Sequence, residues 1–386
     1  MSNVLDIIKK SLRQYGMLIA LATVMILFQF LTNGVLFRPV NLTNLILQNS
    51  YVLILAVGML LCTLTGNVDL AVGSVVAFVG AIAATLMVDH GIPSVYAIII
   101  ILLIGGLVGA WQGYWIAYVK IPAFIVTLAG MLIFRGLALV VLHGQSKGPF
   151  PPLFQSMSSG FIADPFNSDK HILTLLIGII ASVFIVISEL RKRSKQREFK
   201  MELLPLGAFI AKVVFLVVIV NTFTVVFASY KGIPNVLVLL FVLVFIFHFI
   251  TTKTIPGRHI YALGGNAKAA KLSGVKTERV MFWIYTTMGV LSALAGMVFA
   301  ARLNVATPKA GTGFELDAIG ACYVGGVAVM GGSGTVIGAI VGGLFMGVLN
   351  NGMSIMGVGI DWQQTIKGFV LLAAVAFDLY SKRKDR

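Results

Sequence analysis

Charged side chains are scarce in this chain of 386 residues. Asp, Glu, Lys and Arg together make up 11% of it, whereas hydrophobic residues make up 58%. A soluble globular domain typically carries about 25% charged residues, so this composition excludes water as the main solvent. Apolar stretches of about 20 residues, enough to cross a hydrocarbon core, recur from Met17 to Tyr380. We predict an all-α, polytopic membrane protein with about ten to twelve transmembrane helices, in which residues 1–386 form a single transmembrane domain.

Cysteines, metal-binding patterns and catalytic motifs are few or missing. The two cysteines and five histidines are too few and too scattered for a disulfide framework or a metal cluster. The sequence has no Gly-x-x-x-x-Gly-Lys-Ser/Thr phosphate-binding loop, no His-Glu-x-x-His and no Gly-x-Ser-x-Gly. A membrane enzyme would need clustered catalytic side chains at one membrane face, and none is found. We predict a protein without catalytic residues, metal or cofactor, which does not hydrolyse ATP itself.

Acidic residues are outnumbered, with 14 Asp and Glu against 29 Lys and Arg, which gives a formal net charge of +15. If both termini are cytoplasmic, most basic residues fall on the cytoplasmic side, chiefly within residues 191–200, 253–279 and 382–386. The charge is then a topology signal, with attraction to anionic membrane lipid as a by-product. No basic patch interleaved with aromatic residues points to nucleic acid. We predict that both termini are cytoplasmic.

Few ionisable residues lie in or near the predicted spans. They are Asp69, Arg135, Glu315, Asp317 and Lys367. A proton- or sodium-driven carrier usually needs a buried acidic relay near the membrane midplane, and none is evident, which argues against secondary transport. A structural clamp that pairs Arg135 or Lys367 with Asp69 or Asp317 is the simpler interpretation.

Two glycine-containing segments interrupt long apolar runs. Residues 66–69 (Gly-Asn-Val-Asp) divide the run 45–88, and residues 331–334 (Gly-Gly-Ser-Gly) divide the run 318–349. The two half-spans beside the second segment, of about fourteen residues each, are too short to cross upright. Both interruptions fit broken helices, which membranes tolerate where protein or a cavity satisfies the backbone, and one in each half hints at an internal repeat. Tight cytoplasmic turns fit equally well.

The predicted cytoplasmic region 252–279 is the most informative segment. Asn266 can cap a short helix built from Ala-Lys-Ala-Ala-Lys, and Ser273-Gly274 can end it. Such a helix between two spans makes a rigid knob, whose small side chains let the backbone of a partner approach closely. Composition alone would equally allow a plain basic loop.

Several blocks of the chain are similar to one known family. The run that contains Gly264, Gly265, Asn266, Ala269, Ala270, Ser273 and Gly274 resembles the coupling helix of permeases from bacterial ribose- and xylose-type ABC sugar importers. Residues 66–74, 121–130, 315–319 and 350–353 resemble further blocks of these permeases, in the same order. The insertion 144–234, with its extra spans, resembles the longer xylose and multiple-monosaccharide permeases. Ala71 departs from the family, in which many members have Ser.

The resemblance implies a permease in the bacterial inner membrane that imports monosaccharides of the xylose, glucose, galactose or arabinose class. It also implies the partners. Two permease copies would form the pore as a homodimer, two nucleotide-binding domains of an ATP-binding subunit would dock on the coupling helices, and an extracytoplasmic sugar-binding protein would deliver the substrate. The alternative is a secondary sugar transporter or facilitator that acts without an ATPase partner.

The translocation path is predicted from the chemistry of sugars, which bind amide, carboxylate and hydroxyl groups together with an aromatic face. The candidate path residues are Asn67, Asp69, Phe124, Thr127, Asp317 and Asn351. Polar contacts between packed helices would use the same residue types, so both roles stay open.

Overall fold

A computed structural model describes residues 2–166, 170–199, 201 and 203–384. A few residues lie outside the described ones: 1, 167–169, 200, 202 and 385–386. They belong to the predicted domain 1–386, and some of them also belong to its insertion 144–234 or to its basic clusters. The described regular structure is helical: α1 Ser2–Leu31, α2 Pro39–Leu64, α3 Val72–Ala84 with a π-helical turn Thr85–Asp89, α4 Ser94–Ala117, α5 Ala123–Leu142, α6 Pro152–Ser159, α7 Ile172–Glu198, α8 Leu206–Ala228, α9 Asn235–Lys253, α10 Ile255–Gly265, α11 Ala267–Leu272, α12 Thr277–Leu303, α13 Phe314–Val324, α14 Val336–Ile355 and α15 Ile360–Lys384.

Within the described residues, nine helices are long and apolar enough to cross a membrane: α2, α3 with its π-helical turn, α4, α5, α7, α8, α9, α12 and α14. A shorter apolar stretch, Gly16–Leu31, forms the second half of α1. The prediction of an all-α polytopic membrane protein is confirmed, and the protein is embedded in the membrane over most of its length.

The helices around the second interruption differ in detail from the predicted spans. The α13 helix has 11 residues and covers about 16 Å at 1.5 Å per residue, roughly half of a hydrocarbon core. The α14 helix has 20 residues, whereas the sequence indicated a half-span of about fourteen that ends at Leu349. That estimate was wrong because the helix continues through the polar pair Asn350-Asn351. Of these two helices, α13 alone is too short to cross.

Several helix starts follow from local sequence. Pro39 and Pro152 occupy first-turn positions of α2 and α6, where a missing N–H leaves no hydrogen bond unmade. The Thr335 hydroxyl accepts a hydrogen bond of 2.9 Å from the Gly338 amide and caps α14. These residues mark where α2, α6 and α14 begin.

The centre of the molecule is formed by α2 and α12. Their most apolar windows are 78% and 72% buried, whereas those of α7 and α8 are 11% and 6% buried. The α7 and α8 helices pack against each other as a hairpin that has few contacts with the remaining helices. The α7 and α8 helices thus form a peripheral hairpin beside the central helices.

A close crossing joins α4 to α12. Gly105, Gly109 and Gly113 follow one another at intervals of four residues and face the backbone of α12 at Gly289, Tyr285 and Phe282. Small residues at this spacing let two membrane helices approach to backbone contact. A methyl group on Gly109 would overlap the Tyr285 carbonyl oxygen, whereas one on Gly106 would lie 3.4 Å from a Val290 methyl group.

We expect Gly109→Ala to destabilise the protein by about 1–3 kcal/mol, since the added methyl group forces two backbones apart. Gly106→Ala is the matched control, because it changes the same residue type three positions away in ordinary contact. The measurement is the apparent melting temperature of the purified protein. Equal melting temperatures for the two variants would contradict the crossing.

Candidate functional site

The predicted knob is a capped helix in the structure. The Asn266 side chain accepts a hydrogen bond of 3.0 Å from the Ala269 amide at the start of α11, and Gly274 reverses the chain after it with a φ of +87°. Six residues form this helix. We use the name knob for α11 with its flanking residues Asn266, Ser273 and Gly274.

The knob has an inner and an outer side. Ala270 is 5% exposed, whereas Leu272 is 90% exposed, the highest exposure of any large hydrophobic residue in the described chain. Ala269 is also exposed. Leu272 thus projects outward from the knob, beside the small side chain of Ala269.

The α10 helix carries the knob and packs directly against the ends of membrane helices. Gly264 touches the carbonyl oxygen of Leu64, the last residue of α2, so closely that a methyl group there would overlap it. The Tyr261 hydroxyl donates a hydrogen bond of 2.7 Å to the Gly334 carbonyl. Burial raises the pKa of Tyr261, which keeps this hydroxyl protonated as a donor.

The two helix interruptions meet at the same place. The first break comprises residues 65–71 between α2 and α3, and the second comprises residues 325–335 between α13 and α14. The Gly332 amide donates a hydrogen bond of 2.8 Å to the Leu64 carbonyl, which is left without an intrahelical partner at the end of α2. A methyl group on Gly331 would lie 2.8 Å from the Gly66 nitrogen. We call the contact of Leu64, Gly66, Gly264, Gly331 and Gly332 the junction.

The first break lies within the protein rather than at its surface. Asp69 is 3% exposed and accepts a hydrogen bond of 2.8 Å from the Ala71 amide. Ala71 of the first break lies against α5, since a methyl group on Gly130 would be 3.3 Å from the Ala71 side chain. Gly130 itself lies roughly 10 Å from the start of α5. This placement favours a broken helix over a tight surface turn.

Three buried polar side chains near the first break were not singled out in the sequence. Ser74, Gln112 and Tyr285 are buried, and the hydroxyl oxygens of Ser74 and Tyr285 and the amide nitrogen of Gln112 have no hydrogen-bond partner among the described residues. Gln112 lies beside Gly130 and Ser74 is in the first turn of α3. The sequence around each of the three residues is apolar and gives no sign of a polar site. Their proximity depends on how α3, α4 and α12 pack.

The predicted clamp between Lys367 and Asp317 is present. The Lys367 Nζ lies 2.9 Å from the Asp317 Oδ1, which joins α15 to α13. Arg135 has a different partner from the predicted carboxylates. Its Nη1 donates to the carbonyl oxygens of Pro308, at 3.0 Å, and Ala310, and so it fastens the segment before α13 to α5.

An aromatic cluster adjoins this segment. The Tyr51 and Phe314 rings are stacked with centroids 4.1 Å apart, and Phe299 meets both rings edge-on. Tyr51 lies near the middle of α2, and Phe314 is the first residue of α13. The cluster therefore joins α2, which ends at the junction, to α13, which precedes the second break.

The six candidate path residues lie on four elements rather than at one point. Asn67 and Asp69 belong to the first break, Phe124 and Thr127 to α5, Asp317 to α13 and Asn351 to α14. The Asn67 amide donates to the Thr65 carbonyl, the Thr127 hydroxyl donates to the Ala123 carbonyl, and Asn351 exchanges hydrogen bonds with Asn41. The Phe124 side chain is exposed. Their role in translocation stays a prediction.

Comparison with known proteins gives a consistent set of relatives. Residues 41–375 match the family described as "Branched-chain amino acid transport system / permease component". The xylose transport system permease protein XylH of Haemophilus influenzae is 38% identical over 375 residues, which cover 97% of this chain and 98% of the relative. XylH of Escherichia coli K12 is 36% identical, with 97% and 94% covered. The ribose import permease protein RbsC of E. coli K12 is 33% identical, with 88% and 85% covered. No solved structure matches the chain.

We expect Gly264→Ala to separate α10 from the membrane helices, since its methyl group would overlap the Leu64 carbonyl. Gly265→Ala is the matched control, because nothing lies within 4 Å of a methyl group at that position. The measurement is the rate of trypsin cleavage after Lys268 and Lys271 in the purified protein, and we expect severalfold faster cleavage in Gly264→Ala alone. Equal cleavage in both variants would show that the glycine contact does not hold α10 in place.

Proposed function

Because the chain belongs to the branched-chain amino acid transport system / permease component family, we propose that it is the membrane subunit of an ATP-driven importer of monosaccharides. It is a multi-pass protein of the inner membrane, similar to ribose- and xylose-type sugar permeases.

The single observation that supports this function most strongly is the junction. A permease without an ATP site must receive mechanical work from a partner and pass it to the helices that control access. In this chain α10 carries an exposed knob at one end and, at its Gly264, contacts the end of α2 and the second break. A displacement of the knob would therefore act on both interrupted helices together.

The proposed ATP-binding subunit docks on the knob. Leu272 would be the apolar anchor, and Ala269 would allow the close approach of the partner. The residues Gly264, Gly265, Asn266, Ala270, Ser273 and Gly274 would shape and support this surface. Within this scheme the chain is not an enzyme, and ATP hydrolysis belongs to the partner.

The proposed binding protein docks on the opposite side of the membrane. The loop between α5 and α7 is held in a defined position there. Lys147 and Ala306 exchange backbone hydrogen bonds of 2.9 and 2.8 Å, and the Asn304 side chain accepts a bond of 2.8 Å from the Phe150 amide. An ordered outer surface of this kind suits a protein that delivers substrate.

The proposed substrate is a monosaccharide of the xylose, glucose, galactose or arabinose class. Two kinds of observation support it. The names of the similar permeases give xylose or ribose, and polar side chains without hydrogen-bond partners among the described residues, Gln112 and Tyr285 among them, are buried near the first break. A homodimer of this chain would enclose the path.

We expect Ala269→Arg to abolish docking of the ATP-binding subunit, because a long charged side chain replaces the small residue at the centre of the contact. Leu272→Ser should weaken docking by about tenfold or more through loss of a buried apolar anchor. Both side chains are exposed, so the melting temperature of the permease should not change. The measurement is co-purification of the ATP-binding subunit.

The matched control for docking is Ser194→Arg, which adds one positive charge at an exposed position of α7, on the same membrane side. It should leave docking intact. Normal co-purification with Ala269→Arg and Leu272→Ser would refute the assignment of the knob.

We expect vesicles that contain this chain alone to take up no labelled D-xylose or D-ribose above background. Uptake should require the ATP-binding subunit, the sugar-binding protein and ATP, and the measurement is filter-retained label. Uptake by the chain alone would identify a secondary transporter or facilitator. ATP-dependent uptake of leucine instead of sugar would retain the importer and refute the substrate class.

A further inference from the structure

A basic groove lies at the end of α7, in the hairpin that the proposed function does not use. Its volume is about 510 Å³, and it is lined by Ser188, Arg191, Lys192, Lys195, Gln196, Phe199 and Met201. We propose that this groove binds the headgroup of an anionic phospholipid, with the acyl chains along α7.

Three of the side chains that line the groove are positively charged. In the described part of the chain, no carboxylate pairs with Arg191, Lys192 or Lys195. The nearby Glu189 is occupied, since its Oε2 lies 2.7 Å from the Lys212 Nζ on α8. The three cations therefore face outward and are available to a phosphodiester, which accepts charge-assisted hydrogen bonds from Arg and Lys.

The opposite side of α7 is already taken by α8. Arg193 donates a hydrogen bond of 3.0 Å to the Leu204 carbonyl and lies over the Phe209 ring at 4.5 Å. Deeper along the hairpin, the Ser182 hydroxyl accepts a hydrogen bond from the Asn221 amide. The groove is thus on a side of α7 that does not pack against α8.

An apolar stripe leads from the membrane into the groove. Ile180, Phe184 and Ile187 are 67%, 72% and 44% exposed, and Arg191 and Lys195 continue the same face at helical intervals of three and four residues. The helix from Ile172 to Leu190 measures about 28 Å, close to the hydrocarbon thickness of about 30 Å. Arg191 therefore lies where the acyl chains of a lipid end and its headgroup begins.

This continuity favours a lipid over a soluble phosphate compound. A free anion would use the three cations and leave the apolar stripe unused, whereas a phospholipid would cover both. The groove is on the same membrane side as the knob, because α8 and α9 each cross once between them. Anionic lipids on that side attract basic residues near the surface.

The test is native mass spectrometry of the full-length protein, titrated with dioleoylphosphatidylglycerol or with dioleoylphosphatidylcholine. We expect tighter binding of the anionic lipid by the unmodified protein, and a loss of about tenfold or more in the variant R191Q/K192Q/K195Q. The matched control R197Q/K253Q/K276Q removes the same charge at exposed positions outside the groove on the same side. This control variant should keep most of the affinity for dioleoylphosphatidylglycerol.

The following outcomes would refute the proposed lipid site. Equal affinity for the two lipids would show a charge-independent belt lipid, and equal losses in both triple variants would show diffuse attraction only. Competition by millimolar glycerol 3-phosphate as strong as that of the lipid would show a soluble-anion site. If the triple variant does not fold, Lys195→Gln should lower the affinity for phosphatidylglycerol measurably, whereas Arg197→Gln should not, and equal affinities would refute the site.

Discussion

The hydrogen bond from the Gly332 amide to the Leu64 carbonyl constrains the whole arrangement. A helix that stops inside or at the edge of a membrane leaves carbonyl groups without partners, and hydrocarbon supplies none. Here the second break supplies the donor that the end of α2 lacks. Because each interruption satisfies the other, α2 and the segment between α13 and α14 are held together at this end.

The consequences extend in both directions from that bond. Toward the knob, α10 comes so close that only glycine fits at position 264. Toward the membrane interior, α2 leads to Tyr51, which stacks on Phe314 at the start of α13. In α13 the Asp317 carboxylate pairs with Lys367 of α15. The proposed coupling surface is thus linked to the aromatic cluster and to a charged pair by continuous packing.

Much of this architecture could be predicted from the sequence, because composition and local signals carry it. The polytopic helical fold, the similarity to ribose- and xylose-type permeases and the Asn266 cap are confirmed. The length of α14 was underestimated, since burial against α2 lets the helix continue through Asn351, which bonds to Asn41. The meeting of residues 64, 264 and 332 could not be predicted, because it depends on contacts between segments far apart in the chain.

If an ATP-binding subunit docks on the knob as proposed, α10 and both breaks should respond to nucleotide as one unit. Hydrogen–deuterium exchange of the assembled transporter, with and without a non-hydrolysable ATP analogue, tests it most directly. A change in protection of residues 255–265 should then be accompanied by changes in residues 64–70 and 326–334. A nucleotide-dependent change confined to residues 255–274, with both breaks unaltered, would contradict it.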